Sequence, residues 1–147
     1  KHGLKVFYTS TDYVFPGTKG GYSEKDVPNP PNWYGYTKYA GELEILASGC
    51  KHCIMRTSFR PADWGFPTAY TNVYTSADYV NVIAKELALC INYNLEGIIH
   101  IGTPRKSFYE LAKRRNPGIK PEECTDASFP KLRDMDISKW LSEKAKR

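Results

Sequence analysis

The sequence predicts an α/β fold: a parallel sheet of three strands with crossover helices, then a small helical C-terminal region. Three observations carry this. Apolar runs rich in β-branched and aromatic residues recur at Leu4–Ser10, Cys53–Ser58 and Ile98–Gly102. Helix-period stretches separate them, one from Tyr34 to Ala47 and one from Ala77 to about Asn92. Strand and helix therefore alternate, the pattern that parallel sheets require because parallel strands need long crossovers.

Each element has a local reason. Residues 16–33 hold four prolines, three glycines and two asparagines, and read as a loop. In the helix that follows, Ala40, Leu43, Leu46 and Ala47 form an apolar side, and Gly49 is placed to end it. Residues 59–75 are aromatic and irregular and read as a long loop, of a length that usually serves a ligand. Ser76 is the expected cap of the second helix, whose apolar face runs through Val80, Ile83, Ala84, Leu87 and Cys90 or Ile91. Gly97 marks its end. Ser107-Phe108-Tyr109-Glu110 is a capping box opening a short helix that Pro117 stops. Residues 117–135 read as loop. A last helix is expected from Asp136 to Lys146, with Ile137, Trp140 and Leu141 packing inward.

Composition narrows the function classes. At 147 residues, 41% hydrophobic and 25% charged, the chain suits one globular domain. No apolar run approaches the ~20 residues of a membrane span, and Lys1-His2-Gly3-Leu4-Lys5 is no signal-peptide core. The first residues run straight into a strand with no initiator methionine, so the expectation is a start inside a larger protein. The net charge of +5 comes from residues 101–147, with twelve Lys/Arg against seven acids; residues 1–100 balance at nine of each. The plain reading of that excess is a solvated surface; the alternative is a face toward an anionic ligand such as a nucleotide diphosphate. Nucleic-acid binding is not expected, because no module is recognisable and the basic residues are not interleaved with aromatics.

The four cysteines are Cys50, Cys53, Cys90 and Cys124. Cys50-Lys51-His52-Cys53 has no second close pair to complete a zinc site. It follows a helix end, where the dipole disfavours thiolate. No metal site is expected, and reduced structural thiols fit a cytoplasmic location.

The chemistry gathers at Thr11, Tyr34 and Lys38. Tyr34 and Lys38 are four residues apart and share one helix face. An ammonium beside a phenol favours phenolate, so the pair is a tunable acid/base. Thr11 ends the first strand, and open α/β sheets bind ligands beyond their strand ends. Its hydroxyl could stabilise an oxyanion. The spacing alone is weak: chance supplies such pairs, and Tyr109/Lys113 is a second one, read as structural.

The surrounding motifs are more specific. Residues 10–18 (STDYVFPGT), Tyr22-Ser23-Glu24-Lys25-Asp26-Val27-Pro28, Tyr34-Gly35-Tyr36-Thr37-Lys38 with Gly41-Glu42, and Met55-Arg56-Thr57-Ser58 resemble the extended short-chain dehydrogenase/reductases. Within these, the dTDP-4-dehydrorhamnose reductase branch is most similar. The likeness is dense over residues 6–59, loose through Ser76–Val80 and Gly97–Gly102, and fades after about residue 117.

The resemblance implies a partial Rossmann-like sheet and NAD(P)H-dependent reduction of a nucleotide-linked 4-keto-6-deoxysugar. Thr11, Tyr34 and Lys38 match the catalytic set. Tyr34, Lys38 and Ser58 match cofactor contacts, and Asp12, Tyr13 and Phe59 the substrate side. Phe59 stands where that branch commonly has Trp, and Arg60-Pro61-Ala62-Asp63-Trp64 departs from its usual sequence.

No GxGxxG or GxxGxxG occurs among the eleven glycines, although phosphate cradling needs glycine at a strand-to-helix turn. The implied organisation is residues 1–58 as the C-terminal half of a Rossmann-like domain and 59–147 as last strand, helices and substrate region, with the cofactor half absent. Enzyme status stays open, and the chain alone is expected neither to bind NADP(H) tightly nor to turn over. The alternative is a non-catalytic sugar-nucleotide-binding or regulatory subunit of the same fold; one branch of the family regulates methionine adenosyltransferase. An uncovered edge on the first strand predicts homo-oligomerisation.

Overall fold

The run Lys5–Thr11, with Val, Phe, Tyr and Thr at its centre, forms the first strand of a three-stranded parallel sheet. In the computed structural model, which describes residues 3–147, the order is β1 (Lys5–Thr11), a 3-10 turn (Asp12–Val14), α1 (Trp33–Ser48), β2 (Lys51–Thr57), β3 (Phe59–Arg60), β4 (Thr68–Tyr70), β5 (Tyr74–Thr75), β6 (Asp78–Tyr79), α2 (Val80–Asn92), β7 (Gly97–His100), β8 (Lys106–Ser107), α3 (Phe108–Lys113), β9 (Lys120–Glu122) and α4 (Ser138–Ala145). The sheet order is β1–β2–β7. Ser10 pairs with Arg56 and Thr11 with Thr57, and Arg56 pairs in turn with His100. The predicted fold class is borne out: a partial Rossmann-like sheet with α1 and α2 as its crossovers.

One face of the sheet carries Cys53, Met55 and Ile99, packed with Cys90 of α2 and Trp140 of α4. This is the main apolar core. The Cys53 and Cys90 sulfurs lie 3.7 Å apart there as thiols. The opposite face receives α1. Asn32 caps that helix, its side chain accepting from the Gly35 amide at 2.8 Å, and Gly49 ends it in the left-handed conformation at φ 65°.

The contact of α1 with the sheet differs from the predicted one. Leu43 and Leu46, expected to pack, are 47% and 42% exposed, and Ala47 is exposed too. The buried residues of α1 are Gly35 and Glu42. Gly35 lies so close to the Tyr13 carbonyl oxygen that a Cβ could not fit. Glu42 reaches Arg56 and Ser10. The helix is thus held by close backbone approach and a buried charge, neither of which shows as apolar periodicity.

Three further expectations are corrected. The segments 59–75 and 117–135 are not simply loop: β3 pairs with β6, β4 with β9 and β5 with β8. These strands are two or three residues long, too short for alternation to register in sequence. Ser76 does not cap α2. Its hydroxyl donates to the Met135 carbonyl at 3.0 Å and accepts from the Met135 amide at 2.9 Å, and α2 starts at Val80 with no side-chain cap. Leu141 is exposed, because Trp140 takes the inward position and the next residue lies about 100° further round. The capping box at Ser107 and Glu110 is present. Among the described residues no helix is long and apolar enough to cross a membrane, and no group of three His, Cys, Asp or Glu gathers as a metal site.

Candidate functional site

The C-terminal ends of β1 and β2 open into a cavity of about 410 Å³. Six of the seven residues singled out from the sequence line it: Thr11, Tyr13, Tyr34, Lys38, Ser58 and Phe59. The register explains the gathering. Thr11 and Thr57 are paired at the sheet's end, so Ser58 and Phe59 emerge beside Thr11. The N-terminal turns of α1 bring Tyr34 and Lys38 over the same opening.

Asp12 takes a different place. It is buried beneath the wall, within the 3-10 turn. The Thr11 hydroxyl donates to Asp12 Oδ1 at 3.2 Å and accepts from the Tyr13 amide at 3.2 Å, so Thr11 caps the turn while facing the cavity. Burial pushes the Asp12 carboxyl above the usual carboxylate range, and Arg133 and the Thr11 hydroxyl oppose this. Asp12 Oδ2 has no hydrogen-bond partner among the described residues.

Tyr34 is half exposed, and its ring meets Tyr13 edge-on with centroids 6.2 Å apart and an interplanar angle of 81°. The Lys38 ammonium lies 4.3 Å from the centroid of the Tyr8 ring, and the Tyr8 hydroxyl donates to the Lys38 carbonyl at 3.2 Å. Tyr8 thus holds both the start of this turn of α1 and its cation. Below them, Glu42 accepts from Ser10 Oγ at 2.5 Å and from Arg56 Nε and Nη2 at 2.9 and 2.6 Å. Ser10 adjoins Thr11, and Glu42 lies one turn from Lys38.

Two charged residues of the cavity wall were missed by sequence reasoning: Arg60 and Arg133. Arg133 is 3% exposed, so the basic C-terminal excess is not wholly solvated surface. Lys106, in the same region, is buried as well. Arg133 sits on a strap: its amide donates to Tyr74 O at 3.1 Å, while the neighbouring Leu132 amide donates to Gly17 O at 2.8 Å. The available signals were the local charge excess and the unfamiliar segment beginning at Arg60. The second Tyr/Lys pair lies apart from the cavity, with Lys113 over its own Tyr109 ring at 5.7 Å and Tyr109 packed on Ala69, Ala112 and Ile119.

Arg60 also borders a second, aromatic cavity of about 280 Å³, lined by Trp64, Phe66, Tyr70, Phe108 and Phe129 with Glu122 at its edge.

A parallel sheet whose strand ends, with the start of α1, gather a hydroxyl, a phenol and an ammonium defines a partial Rossmann-like fold. The comparisons agree. A dTDP-4-dehydrorhamnose reductase from Bacillus anthracis str. Ames, solved in complex with NADP, superposes with a TM-score of 0.76 at 27% identity, covering 95% of this chain and 58% of that one. The RmlD substrate binding domain model matches residues 1–90. The chain belongs to the RmlD substrate-binding domain family. A dTDP-4-dehydrorhamnose reductase from Sinorhizobium fredii is 35% identical over 88 residues, covering 58% of this chain. Methionine adenosyltransferase 2 subunit beta from Bos taurus is 44% identical over 54 residues, covering 37%. The chain spans only 30% and 16% of the length of these two curated relatives.

Proposed function

We propose that this chain supplies the substrate and proton-transfer half of an NAD(P)H-dependent reductase acting on a nucleotide-linked 4-keto-6-deoxysugar. The observation that supports this reading is the joint lining of one cavity by Thr11, Tyr34, Lys38 and Ser58. In it, Tyr34 is the proton donor to the carbonyl oxygen. Lys38 places a cation on the same cavity wall, and the Thr11 hydroxyl stabilises the developing oxyanion. Tyr13 and Phe59 offer apolar surface to the sugar, and Asp12 orients Thr11 from beneath. Tyr34, Lys38 and Ser58 fit the nicotinamide-ribose end of a cofactor, which when bound supplies hydride. The sequence offers no glycine cradle for the pyrophosphate, so these 147 residues by themselves are expected to bind NADPH more weakly than micromolar, as calorimetry would show.

The division at residue 58 is part of this reading, with 59–147 building the substrate side. A second reading, a binding or regulatory subunit without turnover, is favoured by the 44% identity to methionine adenosyltransferase 2 subunit beta.

Saturation-transfer NMR with dTDP-rhamnose tests the shared claim. Transfer to the sugar protons is expected, and its absence would remove both readings. Turnover of dTDP-4-dehydrorhamnose with NADPH, measured with a cofactor-binding half of a family reductase joined to this chain, separates them. Under the first reading Tyr34→Phe lowers turnover by about 10²–10⁴-fold; under the second, binding persists and no product forms.

A further inference from the structure

Arg60 and Arg133 present two guanidinium groups to the same cavity and share one aromatic support. The Phe108 ring centroid lies 4.4 Å from the Arg60 guanidinium carbon and 5.1 Å from that of Arg133. Arg133 is also braced by Tyr13 at 4.7 Å, and Arg60 by Trp64 at 5.7 Å. Neither guanidinium donates a hydrogen bond to, or forms an ion pair with, any of the described residues. Arg133 Nε is fully buried and has no hydrogen-bond partner among the described residues.

This arrangement is costly as it stands. A guanidinium carries five donors, and buried donors without acceptors lose free energy. Like charges placed together repel. Desolvation and the Arg133 cation both pull the Arg60 guanidinium below its ordinary value. The Asp12 charge opposes this in part, but Asp12 is buried in the 3-10 turn, accepts from Thr11 and forms no ion pair with either guanidinium. The other buried cations do have acceptors: Arg56 has the Glu42 carboxylate, and Lys106 has the Ala77 carbonyl and the Thr103 hydroxyl. The exception at the cavity is therefore local.

We propose that Arg60 and Arg133 form an oxyanion clamp that holds a phosphate or carboxylate group of the ligand beside Thr11 and Tyr34. The planar forks suit two-pronged contacts to such groups. Their aromatic supports fix the guanidinium planes in advance, which lowers the ordering cost of binding. Arg60 stands where the catalytic-side cavity meets the aromatic one, so an oxyanion there would link a sugar on one side to an aromatic group on the other. The clamp deepens the nucleotide-sugar reading and rests on it only for that last placement.

Calorimetric titration with inorganic pyrophosphate, dTDP and glucuronate, at low and high sodium chloride, tests the clamp. Binding of at least one probe is expected, weakening with salt. Arg60→Gln and Arg133→Gln should each lower affinity about tenfold or more, while Arg147→Gln, an equal change in net charge far from the cavity, should not. Binding of pyrophosphate and dTDP identifies a phosphate clamp, and binding of glucuronate alone a carboxylate one. If no probe binds in the millimolar range, or if Arg60→Gln and Arg147→Gln act equally, the clamp is refuted. Arg60 is only half-buried, so its variant carries the test should Arg133→Gln fail to fold. With a cofactor-binding half supplied, binding at the clamp without turnover leaves the clamp standing and removes the reductase reading; turnover indifferent to both arginines does the reverse.

Discussion

Glu42 and Arg56 form a two-pronged ion pair out of reach of solvent, Nε to Oε1 at 2.9 Å and Nη2 to Oε2 at 2.6 Å, with Ser10 donating to the same carboxylate. The pair ties α1 to the ends of β1 and β2, and so sets Tyr34 and Lys38 relative to Thr11. Removing one partner strands the other charge in the interior. Glu42→Gln is therefore expected to cost about 3–5 kcal/mol. Replacing both together, as Glu42→Leu with Arg56→Met, should be near neutral for stability. Urea unfolding of the three proteins checks this, and equal losses in the single and double variants would contradict it.

Gly35 is the other anchor of α1. A methyl group there would run into the Tyr13 carbonyl and push the helix away from the 3-10 turn. Gly35→Ala should destabilise by about 1–3 kcal/mol, although alanine is the better helix former. Loss of the ring contact between Tyr13 and Tyr34, read as an NMR cross-peak, should accompany it. A stabilised variant would contradict the close approach.

Lys106 is buried, donating to the Ala77 carbonyl and the Thr103 hydroxyl, both at 2.8 Å. Desolvation pulls its ammonium down to about 8, with Asp78 opposing. Between that value and its ordinary one, the unfolded chain holds the proton that the folded chain has released. Stability from this group should therefore rise with pH from about 8 to 10. Urea unfolding across that range, compared with Lys106→Met, isolates the effect from the tyrosines. A difference between the two proteins that does not change with pH would contradict it.

The outer edge of β1 has no neighbouring strand among the described residues, and α1 leaves Leu43 and Leu46 half exposed beside it. An unpaired edge next to apolar surface favours pairing with a second copy. Concentration-dependent self-association is expected in sedimentation velocity. Val6→Lys, which places a charge on that edge, should reduce it. A monomer at all concentrations would count against this use of the edge.

The sheet and most of the cavity were legible because long apolar runs and a strand-end hydroxyl leave local traces. Thr11 and Ser58 fall at predicted strand ends and Tyr34 at a helix start; it was the family resemblance that grouped them in one site. What escaped was non-local. Leu43 and Leu46 carry the periodicity of a buried face, but Glu42 holds the helix through a partner fourteen residues away in sequence. Arg133 reaches the cavity only because a strap from residues 130 to 136 threads between Gly17 and Tyr74. Strands as short as Phe59–Arg60 show no period at all.

The pairing of β1 with β2 joins Lys5 to Lys51, with the whole of α1 between them. No hairpin can start this sheet; its first contact closes a loop that has already given up much of its freedom. Refolding should then be slow relative to helical proteins of this size. Changes in α1 should alter the folding rate more than the unfolding rate, while changes at β9, on the periphery, should do the opposite. The helix that carries Tyr34 and Lys38 is thus also the step on which assembly of the sheet waits.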